Sequence, residues 1–241
     1  MTGACTTSDG AVVEGRGFVC SWSGGKDSCL ALWRAVQAGG RPRALICMLS
    51  EDGERTRSHR LPLWLVRRQA DALGLPLIVH SASWEEYEDE FVSALHEARA
   101  SGAEVAVFGD LDLEEHRQWE IMVCGRAGLE ARLPLFGRPR ARLLSDLQHA
   151  RMRATVVAVT SPLLDERFVG RELTPAFFAE VERLGADGFG EKGGYHTAVT
   201  DCVLFSSAIE LTLGDALSDD GRWFAHLQPS TSPTGKFPQH E

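Results

Sequence analysis

Short apolar runs alternate with longer segments of helical period along most of the chain, and this rhythm constrains the fold more than any other feature. Gly17 to Trp22, Ala44 to Leu49, Leu75 to His80, Glu104 to Phe108 and Ala154 to Thr160 read as strands. Between them, Asp27 to Ala38, Leu61 to Leu73, Trp84 to Ala100, Glu114 to Leu129 and Leu143 to Ala150 read as helices. Strands joined by helix-length crossovers pair in parallel and bury both faces. The expectation is therefore an α/β fold with a doubly wound, mainly parallel, Rossmann-like sheet. After Thr160 the rhythm changes to a Pro-containing loop, a helix from Thr174 to Leu184, a Gly-rich stretch over 185–194, and strand-like runs Tyr195 to Asp201 and Val203 to Leu213. These predict a smaller C-terminal α+β lobe over 161–213. Residues 1–16 and 214–241 hold few apolar positions and read as flexible tails.

The first strand runs into Ser23-Gly24-Gly25-Lys26-Asp27-Ser28 and then a helix carrying Leu30, Ala31 and Trp33. A strand that ends in Ser-Gly-Gly and opens a helix turns backbone N–H groups and the helix N-terminus toward an anion. The glycines allow close backbone approach, Ser23 and Ser28 supply hydroxyls, Lys26 supplies a point charge, and Asp27 is the candidate ligand for a magnesium ion. An ordinary turn and N-cap is the plain alternative, and the Walker spacing is absent. The 17–160 unit is thus read as a phosphate-binding domain, its ligand at the carboxyl ends of the strands. Met48, on the second strand, fills the core or borders that ligand.

Three further clusters bear chemistry. His59 closes the polar loop Glu51 to His59, as a ligand contact or a surface cap. Gly109 and Asp110 end the fourth strand, where ligand groups are usual, and His116 and Trp119 follow on one helix face. The segment from Gly188 to Thr197 packs glycines around Glu191, Tyr195, His196 and Thr197 and leads to Asp201. Acid, imidazole and hydroxyl groups on such a loop can orient a carboxylate or an attacking amine; a hairpin-rich loop is the alternative.

Charge narrows the partners. With 25 Lys and Arg against 34 Asp and Glu, the formal net charge is −9, the wrong sign for binding many nucleic-acid phosphates. A basic run at Arg55, Arg57, Arg60, Arg67 and Arg68 reads first as a solvated face. Among the basic residues only Lys26, Lys192 and Lys236 are lysine, a bias that, with abundant Ala and Gly, points to a GC-rich bacterial genome. Cys5, Cys20, Cys29, Cys47, Cys124 and Cys202 are too scattered for a metal cluster and read as buried thiols. Neither a signal peptide nor a run of about 18 apolar residues is visible, so a cytoplasmic protein without membrane association is expected.

The hexapeptide at 23–28 resembles the PP-loop of ATP pyrophosphatases, the adenine nucleotide alpha-hydrolase-like superfamily, which split ATP to AMP and pyrophosphate. Over Phe18 to Phe205 the chain resembles, more narrowly, the diphthine ammonia ligase family. The carrying segments are Trp22 to Ser28, Glu51 to His59, Gln69 to Leu77, Phe108 to Trp119 and Gly190 to Phe205. The resemblance implies ATP with Mg2+, adenylation of a substrate carboxylate, release of pyrophosphate and displacement of AMP by ammonia. It implies nucleotide contacts from Ser23, Gly24, Gly25, Lys26, Asp27, Ser28, Met48, His59 and Gly109, and catalytic roles for Lys26, Asp110, Glu191, Tyr195, His196, Thr197 and Asp201. The 161–213 lobe would hold the substrate, a small-molecule carboxylate or a diphthine-like group, and a homodimer is compatible with it. Three positions depart from the pattern: Gly194 replaces a second glutamate, Val203 a proline, and Arg60 a glycine. The first departure leaves room for a nucleotide sensor without turnover. A tRNA-modifying PP-loop enzyme is the other alternative, disfavoured by the acidic charge.

Overall fold

The computed structural model describes residues 13–57, 59–160, 162–191, 194–219 and 221–230. Strands β1 (Gly17–Ser21), β2 (Arg41–Leu49), β3 (Leu77–Ser81), β4 (Val105–Val107) and β5 (Glu130–Arg132) form one parallel sheet in the order β3-β2-β1-β4-β5. The connecting helices are α1 (Lys26–Gln37), α2 (Leu63–Leu73), α3 (Tyr87–Ala100) and α4 (Glu114–Ala127). Chain order runs outward from β1 through β2 to β3, then returns across β1 to β4. The carboxyl ends of β1 and β4 therefore flank the crevice where the winding reverses, the usual ligand position in such sheets.

The strand β1 shows why both faces are covered. Phe18 and Cys20 enter a core shared with α1 and α2, whereas Val19 enters a second core with Ile46, Phe91, Leu95 and Val123. Every one of these side chains is fully or almost fully buried, which is the burden a central parallel strand carries. Gly74 and Gly128 end α2 and α4 with left-handed φ values of 66° and 70°, the helix stop that lacks a Cβ penalty.

A second sheet corrects two expectations. Helix α5 (Arg140–His149) leads to β6 (Arg153–Val159), which joins β7 (Tyr195–Asp201), β8 (Leu211–Asp219) and β9 (Arg222–Pro229) in the antiparallel order β7-β6-β9-β8. The β6 run thus leaves the nucleotide-binding unit that was expected to extend to residue 160. Its apolar pattern records burial but not its pairing partner. Of the stretch read as a tail, 214–219 lies in β8 and 222–229 in β9; β8 is half-buried or exposed and gives no clean alternation, while β9 buries Ala225 and Leu227 at strand period. The strand expected from Val203 begins only at Leu211. Helix α6 (Pro175–Arg183) forms as expected, with the Thr174 hydroxyl accepting from the Phe177 N–H and proline in its first turn. Residues 1–12 and 231–241, including Cys5 and Lys236, lie outside the described residues.

One core joins the two sheets. It runs from Phe18 and Leu30 through Leu65, Val66 and Leu143 to Val156, Ala198 and Val199, so α1, α2 and α5 are buried between the parallel and antiparallel sheets. Cys20, Cys29, Cys47, Cys124 and Cys202 are all buried free thiols, and the Sγ atoms of Cys29 and Cys202 lie 3.8 Å apart within this core. Among the described residues no helix is long and apolar enough to cross a membrane.

Candidate functional site

A cavity of about 630 Å³ opens at the carboxyl edge of the parallel sheet. Its walls come from the end of β1 and the following loop (Ser23, Asp27, Ser28), from β2 (Ile46, Met48), and from the segment after β4 (Gly109, Asp110). Strand β7 contributes His196, the Gly-rich loop before it contributes Glu191, and His59 comes from the loop after β2. Nine residues that the sequence marked from separate segments (Ser23, Asp27, Ser28, Met48, His59, Gly109, Asp110, Glu191 and His196) thus meet around one space.

The loop is fixed from behind by the second sheet. The Val199 N–H donates to the Gly24 carbonyl (3.0 Å), and the Lys26 N–H donates to Thr197 Oγ1 (3.0 Å). Gln69 is fully buried and ties the corner: its Nε2 donates to Gly24 O (2.9 Å) and Val199 O (2.8 Å), and its Oε1 accepts from Trp22 Nε1 (2.9 Å). All the amide's protons and its oxygen are engaged, so Gln69→Leu strands buried partners on three segments. We expect that change to cost about 2–4 kcal/mol, as buried polar groups left unpaired do, measured as a lower denaturant midpoint at unchanged m-value.

The glycines answer to packing as much as to an anion. A Cβ on Gly24 (φ +80°) would lie 2.6 Å from Leu61 Cδ1, and one on Gly25 would lie 2.1 Å from His59 Cε1 and 3.1 Å from Thr197 O. Their absent side chains let His59 and β7 close onto the loop.

Six expected site residues do not line the cavity: Gly24, Gly25, Lys26, Tyr195, Thr197 and Asp201. Lys26 is 3% exposed; its ammonium pairs with Asp27 Oδ2 at 2.7 Å and stands over the rings of Tyr195 (5.1 Å) and Phe189 (5.8 Å). It is a second layer behind Asp27. The Tyr195 hydroxyl donates to Gly188 O (2.7 Å), bracing the Gly-rich loop, and Thr197 is consumed by Lys26 N. Asp201 sits at the end of β7, paired in register with Arg153.

The charged groups facing the cavity are mostly acids: Asp27, Glu88, Asp110, Glu120 and Glu191 against Arg57. Burial raises Asp27, with the Lys26 ammonium opposing it and Asp110 adding to it, and Asp27 Oδ1 has no hydrogen-bond partner. Glu191 reaches across from the loop that precedes β7, its Oε1 accepting from the Leu111 N–H (2.8 Å). Burial pushes its carboxyl up to about 7, with Asp27 and Asp110 contributing. The neutral acid is therefore favoured in the folded chain. Stability in divalent-free buffer should fall by about 1–3 kcal/mol as pH rises from the unfolded carboxylate range through about 7, because the folded state holds the proton more tightly. Glu191→Gln should flatten that segment of a pH–stability profile. His59 Nδ1 donates to Thr197 O (2.9 Å), and burial holds the ring down to about 4. His196, with its ring centroid 4.6 Å from that of His59, is likewise pushed well down by burial, His59 and Lys26. Two neutral imidazoles therefore adjoin the loop at neutral pH.

Apart from Trp119, marked with His116 beside Asp110, the remaining wall went unmarked in the sequence as a site. Trp84, Tyr87 and Phe91, with Trp119, make an aromatic face, and the Arg57 guanidinium stacks on Trp84 (4.2 Å) and Tyr87 (5.4 Å). Glu88 accepts from Trp119 Nε1 (3.0 Å). Glu120 is 4% exposed. The only sequence signals were the helical spacing of Tyr87 and Phe91 and the isolated acid on the apolar side of α4.

Fold and cavity together define an α/β protein of the doubly wound class, with its ligand cleft at the carboxyl edge between β1 and β4. Residues 17–131 match the family model described as the diphthamide synthase N-terminal domain, and residues 140–228 match that of the diphthamide synthase C-terminal domain. The chain belongs to the diphthamide synthase family. Relatives named diphthine--ammonia ligase include one from Schizosaccharomyces pombe, 26% identical over 219 residues that cover 79% of this chain but 35% of that one. Another, from Danio rerio, is 26% identical over 226 residues, covering 82% of this chain and 88% of its own length. The chain is thus similar to enzymes that form a carbon–nitrogen bond, and it spans about a third of the length of the fission-yeast relative. A crystal structure of the predicted subunit of a tRNA methyltransferase from Methanocaldococcus jannaschii DSM aligns at 15% identity and a TM-score of 0.40, covering 78% of this chain and 97% of that one.

Proposed function

We propose that the protein is an ATP-dependent, AMP-forming carbon–nitrogen ligase that adenylates a carboxylate, releases pyrophosphate and transfers ammonia to the activated acyl group. One observation carries the reading: the Ser23–Ser28 loop, which follows β1, borders the same cavity as Glu191, from the loop before β7, and His196, from β7 itself. A nucleotide phosphate against the first and an acceptor against the second are then neighbours, which is the geometry of group transfer.

The residues fit a nucleotide polyphosphate escorted by a divalent cation. Five acids, Asp27, Glu88, Asp110, Glu120 and Glu191, line the space, a setting in which a polyphosphate is better received with a divalent cation than naked. Asp27 Oδ1, buried and unpartnered, is the oxygen free for Mg2+. Magnesium characteristically takes one or two carboxylates and completes its shell with water and substrate phosphates. Bound there, it would neutralise the departing pyrophosphate. The Ser23 and Ser28 hydroxyls, 3.2 Å apart, and the N-terminus of α1 bind phosphate oxygens, while Lys26 holds Asp27 in its ionised form from behind. Met48 and Ile46 supply apolar contact for the base. At the aromatic end, Arg57 is the cation available to an anionic acceptor.

Nucleotide product analysis tests the reading. The protein with ATP, Mg2+, ammonium and a pool of small carboxylates should yield AMP and pyrophosphate, dependent on Mg2+ and on the pool. ADP and phosphate would overturn it, and tight ATP binding without products would favour a nucleotide sensor.

A further inference from the structure

We propose that Asp110 and Glu120 form an ammonium-binding subsite at the aromatic side of the cavity, an inference that rests on the ligase reading above. Glu120 lies on α4, turned inward: it is 4% exposed, lines the cavity, and its Oε2 has no hydrogen-bond partner. Its carboxyl lies against that of Asp110, and burial with this neighbour pushes Glu120 up to about 11. Asp110 accepts from His116 Nδ1 on Oδ1 (2.7 Å). A buried acceptor without a donor costs about 1–3 kcal/mol, so a cavity that keeps one has a position for a donor that arrives with the ligand.

The surroundings select the donor. Phe91, Phe108 and Trp119 line the same wall, with ring centroids 5.2 Å apart for Phe91 and Trp119 and 6.2 Å apart for Phe91 and Phe108. Ammonium is a small cation with donors in every direction and no acceptor, and it is satisfied by a few oxygens and by ring faces. A magnesium ion requires an octahedral oxygen shell, which aromatic walls cannot supply. Among the described residues, moreover, no three His, Cys, Asp or Glu side chains converge as a metal-binding set. The acid pair can also move protons. One proton passes from ammonium to the pair, the nitrogen lone pair attacks the acyl carbon, and the bond from that carbon to the AMP oxygen breaks. The nitrogen then gives a second proton to the pair, and both protons pass from the pair to water, leaving a neutral amide, AMP and a restored site.

The test is a thermal-unfolding titration of the purified protein with ammonium chloride against sodium chloride at equal ionic strength. Ammonium should raise Tm by a few degrees beyond sodium in the unaltered protein, and the difference should vanish in Glu120→Gln, whose response to Mg2+ and ATP persists. Crystals of the unaltered protein soaked in thallium(I), a monovalent cation close to ammonium in size, should show an anomalous peak against Asp110 and Glu120, a reading that stands even if the variant folds poorly. Equal responses to the two salts, an ammonium response retained in Glu120→Gln, or a thallium peak elsewhere would overturn the subsite. The two readings fail separately. AMP and pyrophosphate without an ammonium response remove the subsite alone, whereas ammonium binding beside ADP formation removes the ligase and leaves a cation site.

Discussion

Lys26→Met should reduce AMP and pyrophosphate formation by roughly 10²–10³-fold, the range seen when one preorganised electrostatic group is removed from a reacting site. The loss runs through Asp27. Burial already works against the Asp27 carboxylate, and the ammonium at 2.7 Å is the largest influence keeping it ionised. With a thioether in that place the carboxyl takes up a proton, and the Oδ1 proposed above for magnesium becomes a poor ligand. Stability should fall as well, by about 3–5 kcal/mol, because one partner of a buried ion pair is left behind. The double variant Lys26→Met with Asp27→Asn separates these effects. It removes the stranded charge, so its Tm should recover most of the loss while turnover stays at the background. Turnover persisting in Lys26→Met would show that Asp27 does not need its cation and would remove both residues from the machinery.

The second large effect is expected at Gly109. A Cβ there would stand 2.8 Å from Asp27 C and Ser28 N and 3.0 Å from Asp27 O, all backbone atoms of the first turn of α1. No side-chain rotation relieves such a contact, so β4 and the loop-bearing helix must move apart. Gly109→Ala should cost about 3 kcal/mol, the upper part of the overpacking range, and should weaken nucleotide binding as the loop shifts. Gly125 is the internal comparison. It lies within α4, has no atom within 4 Å of its missing Cβ, and its φ is not positive. Gly125→Ala should stabilise the protein by about 0.4–1 kcal/mol. Chemical denaturation of the two variants side by side checks both signs, and a similar midpoint for both would refute the packing argument.

The contrast between these glycines marks what the sequence could convey. The β1–loop–α1 unit was legible because its information is local: a buried strand, two glycines and a helix opening are adjacent in the chain. Asp110 and Glu191 were legible for the same reason, the first beside glycine just after β4 and the second beside glycine in the loop before β7. Pairing was not legible. β6 carries the same apolar run whether it extends a parallel sheet or begins an antiparallel one, and β8, mostly exposed, presents little apolar pattern. Roles that depend on depth were also hidden. Lys26 reads as a phosphate contact from its motif, yet its side chain turns behind the loop toward Phe189 and Tyr195. Glu120 faces the cavity from α4 and Arg57 from the loop between β2 and α2, where it meets Trp84 and Tyr87, a long-range packing that neither local segment records.

The bond from Val199 to the Gly24 carbonyl makes the antiparallel sheet part of the loop's own scaffold. A ligand that shifts β7 must therefore shift the strand-to-helix corner, and a ligand that tightens the corner must draw on β7. Thermodynamic linkage makes this traffic symmetrical: whatever factor the acceptor imposes on nucleotide affinity, the nucleotide imposes on the acceptor. Order of addition can then alter the rates by which the two ligands assemble, but not the free energy of the assembled state.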